Sequence, residues 1–201
     1  GFAMKQMMIS IGREFGSAGH EIAEKLAEHY NLPLYDHNLL DEVARSKGMD
    51  PSVLRGFDET KRSKVLSRTV RGMSNSPAEN VAQLQFNFLK EKADTGESFV
   101  VVGRCSETVL RGRDGLISIF VLGDMDSKIE RIMELYHKDA EDAEEFIHEK
   151  DRRRKSYHNS HCPIKWGDSR NYDLCINSSR LGVEETMKIL IQYIDTRRLL
   201  G

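Results

Sequence analysis

Cysteine is scarce in this chain: three in 201 residues, Cys105, Cys162 and Cys175. They form no CxxC pair, which argues against a disulfide scaffold and fits a reducing compartment. No apolar run approaches the ~20 residues that cross a bilayer, and no charged-then-apolar leader is legible; the expectation is a cytoplasmic protein. An excess of one charge sign is also lacking. The 30 Lys and Arg against 32 Asp and Glu leave −2 at pH 7, which argues against bulk binding to nucleic acid or membrane. Internal repeats, low-complexity tracts and an interdomain linker are absent. What is there is 31% charged and 39% hydrophobic residues, the balance of a globular chain with much solvated helix surface. One domain over residues 4–201 is expected, after a three-residue cloning scar, Gly1-Phe2-Ala3.

The organising stretch lies near the start. A short apolar run over residues 7–12 ends at Gly12. A loop with Gly12, Gly16 and Gly19 follows, and then a helical pattern over Gly19–Tyr30 with Ile22, Ala23, Leu26, Ala27 and Tyr30 on one face. Strand, glycine loop and helix make a phosphate cradle: backbone N–H groups turn inward and the helix N-terminus adds partial positive charge. No register of this loop fits the strict pattern of Gly, four residues, Gly, Lys, then Ser or Thr. A glycine-rich helix-capping turn with no ligand is the competing reading.

Further on, Leu34-Tyr35 makes a short strand ending at Asp36, which can cap a helix over 37–47 or sit beside the cradle near Mg²⁺. Residues 50–96 hold no strand signal and read as a helical insert. It contains a basic run, Lys61, Arg62, Lys64, Arg68 and Arg71, and a restart at Asn75-Ser76-Pro77, since proline suits the first helical turn. Acceptor binding, an oligomer face such as that of a homodimer, and plain packing are its open roles. A strand over 98–102 ends in Gly103-Arg104-Cys105, where an arginine at a strand C-terminus can fork onto phosphate. Leu116–Leu122 is the next strand, followed by a helix over 126–137.

A very polar helix begins near Glu141 and carries Lys150-Asp151-Arg152-Arg153-Arg154-Lys155. It reads either as a solvated face or as part of a lid, about 139–170, closing over polyphosphate. His158, His161 and Cys162 raise a zinc reading, but their spacing lacks a second pair, so no zinc site is expected. A strand over 172–177, a turn at 177–179 and a helix over 182–198 complete the chain. Strands alternating with helices predict an α/β fold: a five-stranded parallel sheet with helices on both faces, P-loop kinase-like, with a helical insert and a basic helical lid.

These motifs together resemble the cytidylate kinase-like family, close kin of bacterial cytidylate kinases and other nucleoside monophosphate kinases. The resemblance rests on Ile9 to Arg13 with Gly16 to Gly19, Pro33-Leu34-Tyr35-Asp36, Val101-Val102-Gly103-Arg104, Lys165-Trp166-Gly167-Asp168, and Tyr172 through Ser179. It implies phosphoryl transfer from ATP, with Mg²⁺, to a nucleoside monophosphate, CMP or dCMP first. Such chemistry needs in-line positioning and positive charge. In that picture Gly12, Gly16, Ser17, Ala18, Gly19 and His20 hold the ATP phosphates. Asp36 and the Ser17 hydroxyl face Mg²⁺, and Arg104 grips the acceptor. Arg152, Arg153 and Arg154 form the lid, and Ser178 in the 177–179 turn faces adenine.

Two positions depart from the family pattern. The loop lysine is missing, with His20 and Glu21 in its region, and Arg13 is the candidate to supply the absent charge. Cys105 stands where cytidylate kinases carry an Asp that reads cytosine. An inactive or weak nucleotide- or phosphate-binding sensor, and a kinase for another small acceptor, are the alternative functions.

Overall fold

Strand β1 (Met8–Arg13) turns Ile9 and Ile11 to one side and Met8 to the other, all fully buried. A strand buried on both faces belongs inside a sheet covered by helices on both sides. In the computed structural model, which describes residues 5–59, 69–70, 73–74 and 77–201, β1 is the central strand. The order is β2 (Leu34–Tyr35), β5 (Phe99–Val102), β1, β6 (Leu116–Leu122) and β7 (Leu174–Asn177), every neighbouring pair parallel. The scar at 1–3, the cations Lys61, Arg62, Lys64, Arg68 and Arg71, and Asn75-Ser76 lie outside the described residues.

Helices α1 (Gly19–Tyr30) and α8 (Gly182–Leu200) cover the Ile9 face with Ile22, Leu26, Leu190 and Ile194. The other face carries α2 (Leu39–Lys47), α3 (Pro51–Glu59), α4 (Pro77–Asp94) and the single-turn α5 (Ser106–Val109), around Met8, Leu54, Leu89 and Phe99. Each such aliphatic side chain contributes about 1.5–3 kcal/mol by leaving water. Helices α6 (Met125–Tyr136) and α7 (Ala140–His161) close a smaller core of Ile132, Ala143 and Ile147. Beyond these, His158 is the one further buried residue of α7.

The insert departs from expectation in one respect. Residues 50–96 hold two strands, β3 (Thr69–Val70) and β4 (Met73–Ser74), paired antiparallel. Two-residue strands are too short for an alternating pattern to register. The helix after Asp36 also starts later than expected, at Leu39 with Asn38 as its N-cap.

Topology places the site. From β1 the chain passes through α1 to the far edge strand β2, returns to β5 beside β1, then crosses β1 to β6. Strand order therefore reverses direction at β1, and the crevice beyond its C-terminal end is where such sheets bind ligands.

Candidate active site

The glycine loop leaves β1 at Glu14, whose amide is held by the Val121 carbonyl at 2.9 Å. Gly16 (φ 87°) and Ala18 (φ 65°) are left-handed, which rolls the chain into the start of α1. Ser17 fixes the curve. Its hydroxyl donates to the Glu14 carbonyl at 2.7 Å, and its own carbonyl accepts from the Ser178 hydroxyl at 2.5 Å. The Phe15 amide donates to Asp151 on α7 at 2.7 Å. The amides of Gly16, Ala18, Gly19, His20 and Glu21 take no partner among the described residues. That leaves the positive pole of a helix and a row of donors facing outward.

Arg13 runs alongside this row. A Cβ on Gly19 would lie 2.4 Å from Arg13 Cβ, and one on Gly103 would lie 2.7 Å from Arg13 Nη1. Both glycines are thus the passage through which the guanidinium reaches the crevice. Burial, then the neighbouring Arg154 and Arg104, lower the Arg13 pKa, and its Nε is buried without an acceptor. A guanidinium stays charged at neutral pH, so this clustering is a standing cost that an anion would relieve.

Arg104 is delivered by an unusual turn. Gly103, Arg104 and Cys105 all have positive φ (66°, 55° and 57°). Non-glycine residues there cost about 1–2 kcal/mol each, and such strain gathers at working sites. Arg104 lies over the Tyr157 ring at 5.7 Å. Arg154 donates to the Arg13 carbonyl at 3.4 Å and covers the Phe15 ring at 5.4 Å, which docks α7 onto the glycine loop.

Asp36 faces this cluster from the end of β2. Its carboxylate takes the Asn38 amide at 3.0 Å and His20 Nε2 at 2.7 Å. Burial works to raise its pKa, but the Asn38 amide and His20 outweigh it, and the carboxyl lies below its ordinary range. Around these groups opens a cleft of about 930 Å³, lined by the loop, the three arginines, Asp36 and the rings of Tyr157, Trp166 and Tyr172.

A family model for the cytidylate kinase-like family matches residues 8–180. The chain belongs to the cytidylate kinase-like family. Within this family assignment, it is similar in structure to an uncharacterized protein from Eubacterium ventriosum, with 42% identity, TM-score 0.75, and 94% of this chain and 99% of that chain covered. The shikimate kinase from Bacteroides thetaiotaomicron shares the fold at 14% identity and TM-score 0.54, covering 94% and 98%. The shikimate kinase from Acinetobacter baumannii, solved with shikimate, does so at 13% identity and TM-score 0.53, covering 98% and 97%. No curated protein matches the chain.

In this cytidylate kinase-like chain the expected site residues divide into two groups. Gly12, Arg13, Gly16, Ala18, Gly19, His20, Asp36, Arg104, Arg153 and Arg154 all line the cleft. Arg152 is exposed and is not among the lining residues. Arg153 reaches the rim while paired with Glu149 at 2.7 Å. Ser17 and Ser178 are buried beneath the loop and brace it, each through its hydroxyl. The Ser17 hydroxyl is therefore committed to a carbonyl. Glu21, in the region of the missing lysine, is paired with Arg131 at 2.7 Å.

Among the described residues, two groups of side chains could hold a cation. His20, Asp36 and His37 converge in the cleft. Glu107, His158 and Cys162 also converge, the first two lining the cleft, a cluster that sequence spacing missed because Glu107 comes from a different element. Asp151 was also missed. It stands alone among five cations in the basic run, and that isolation was the available signal.

Proposed function

We propose that this chain transfers the terminal phosphoryl group of ATP to a nucleoside monophosphate, CMP or dCMP first. The observation that carries the reading is the row of unpartnered amides of Gly16, Ala18, Gly19, His20 and Glu21 lying beside Arg13 and Arg154. Amides and guanidinium groups fixed before substrate arrives need no reorganisation as charge moves in the transition state. The loop would hold the ATP phosphates. Arg104, also lining the cleft, would hold the acceptor phosphate. Helix α7, already tied to the loop through Asp151 and Arg154, would keep water from the reacting phosphoryl group.

Mg²⁺ retains several waters and is commonly held by one or two carboxylates plus substrate phosphates. Asp36 fits that role: its carboxylate is held ionised and faces the cleft. Ser17 does not fit, since it is buried beneath the loop and is not among the residues lining the cleft. Bound there, the ion would neutralise charge on the phosphate oxygens.

The test is a coupled ADP assay with Mg-ATP against CMP, dCMP, UMP, AMP and GMP. Turnover with CMP or dCMP, lost in Arg104→Ala, is the expected result; no turnover with any of the five rejects the kinase reading. A second reading, a nucleotide-binding sensor, is favoured by the buried Ser17 hydroxyl and the missing loop lysine. It would show as thermal stabilisation by nucleotide without ADP release.

A further inference from the structure

We propose that Glu107, His158 and Cys162 form a transition-metal site that takes Zn²⁺, with water in the fourth position and Cys105 packed alongside. One ligand atom from each of Glu107, His158 and Cys162 lies within 4.8 Å of the other two. Four-coordinate zinc with bonds of about 2.0–2.3 Å sets its ligands roughly 3.3–3.8 Å apart, so side-chain adjustment alone closes the site. Cys162 packs against the small buried cluster of Ala82, Phe86 and Cys105.

The donor set is specific. One carboxylate, one thiolate and one neutral imidazole cancel the charge of a dication, which matters because Glu107 and His158 are 4% and 5% exposed. Thiolate with imidazole selects zinc over the oxygen-seeking Mg²⁺. Outer partners are in place as well. Asn171 donates to Glu107 at 3.1 Å, and His158 Nδ1 meets Asn159 Oδ1 at 3.3 Å, leaving Nε2 aimed at Glu107. The hydrogen now shared between His158 and Glu107 and the Cys162 thiol hydrogen both leave to solvent when the cation takes their place.

The placement gives the site a structural consequence. His158 and Cys162 end α7, while Glu107 lies in α5, directly after the strained turn that presents Arg104. Zinc would staple the base of α7 to that turn, 51 residues away in sequence from His158 to Glu107.

The experiment uses the full chain, stripped with chelator, kept reduced, and titrated with Co²⁺ and then Zn²⁺. One equivalent of Co²⁺ is expected to give a thiolate-to-cobalt charge-transfer band and intense four-coordinate visible bands, which Zn²⁺ then removes. Cys162→Ser abolishes the charge-transfer band, whereas Cys175→Ser keeps it. Glu107→Gln and His158→Gln weaken binding by more than the ~10–100-fold that an outer-shell loss costs, and serve if Cys162→Ser does not fold. Arg13→Met is expected to bind Co²⁺ like the wild type, so the metal result stands apart from any failure of the kinase reading. No charge-transfer band in the wild type, or one that survives both Cys162→Ser and His158→Gln, overturns the proposal and leaves a buried His–Glu pair beside two thiols.

Discussion

Replacing Arg13 by methionine should make the ligand-free protein more stable and the nucleotide-binding protein worse. Arg13 Nε is buried without an acceptor, and its guanidinium is crowded by Arg154 and Arg104. An unsatisfied buried donor costs about 1–3 kcal/mol, and the like charges add in the same direction. Methionine fills the passage between Gly19 and Gly103 with an apolar chain of similar length. For a chain of this size each kcal/mol moves Tm by about 2–4 °C, so Arg13→Met should melt about 2–12 °C higher in phosphate- and sulfate-free buffer.

Adding Mg-ATP reverses the comparison. At 100 times Kd a ligand contributes about 2.7 kcal/mol, or roughly 5–11 °C for the wild type on the same scale. Arg13→Met loses a charged hydrogen bond of about 1.5–3 kcal/mol and should keep little of that shift. The assay is a melting curve of both proteins with and without Mg-ATP, repeated with inorganic pyrophosphate. If the variant melts lower than the wild type without ligand and gains the same shift with it, Arg13 is a packing residue and the anion-site reasoning fails.

Other perturbations probe separate parts of the site. Gly19→Ala sets a methyl 2.4 Å from Arg13 Cβ; overpacking of this kind costs about 1–3 kcal/mol, so the melt should fall while Gly56→Ala, with nothing within 4 Å, should not. Asp36 has a depressed folded pKa, so its stabilising contribution is full above the ordinary carboxyl value of about 3.9 and is lost as the pH falls through the lower folded value. On the acid side, the stability gap between wild type and Asp36→Asn should persist to about pH 4 and close below it, as read by denaturant melts. Asp151→Ala removes the carboxylate that holds the Phe15 amide; losing a charged hydrogen bond of about 1.5–3 kcal/mol should loosen α7 and raise KM for ATP in the ADP assay.

The strands and long helices were legible because their signal is periodic. Leu34–Tyr35, Leu116–Leu122 and Gly19–Tyr30 were readable to the residue, since apolar runs meet turn residues sharply at each end. The pairs at Thr69 and Met73 were not, because two residues carry no period. The site was half legible. Gly12, Arg13, Asp36 and Arg104 sit at strand ends, where sequence position alone implies the crevice. Arg152, Arg153 and Arg154 were not separable by sequence, because a basic run does not say which member of a helical turn faces inward. Glu107 was invisible for a different reason: its meaning comes from His158, which only the packing of α7 against α5 brings near.

The missing lysine has a structural answer. His20, nearest to that place, has both ring nitrogens occupied, Nε2 by Asp36 and Nδ1 by Glu24, each at 2.7 Å, so it is not a free cation for phosphate. Glu21 is held by Arg131. In the proposed function, charge would come instead from the strand side of the loop, through Arg13, whose path needs a bare Cα at both Gly19 and Gly103. That explains why the glycine spacing fits no lysine register: here Gly19 clears a corridor for a guanidinium instead of wrapping the chain round an ammonium. The exchange also alters the chemistry. An ammonium is a point charge that can follow a moving phosphate, whereas a guanidinium offers a fixed planar fork. A fork wedged between two glycines holds one orientation, so under the proposed function this loop would trade reach for geometric selectivity toward its anion.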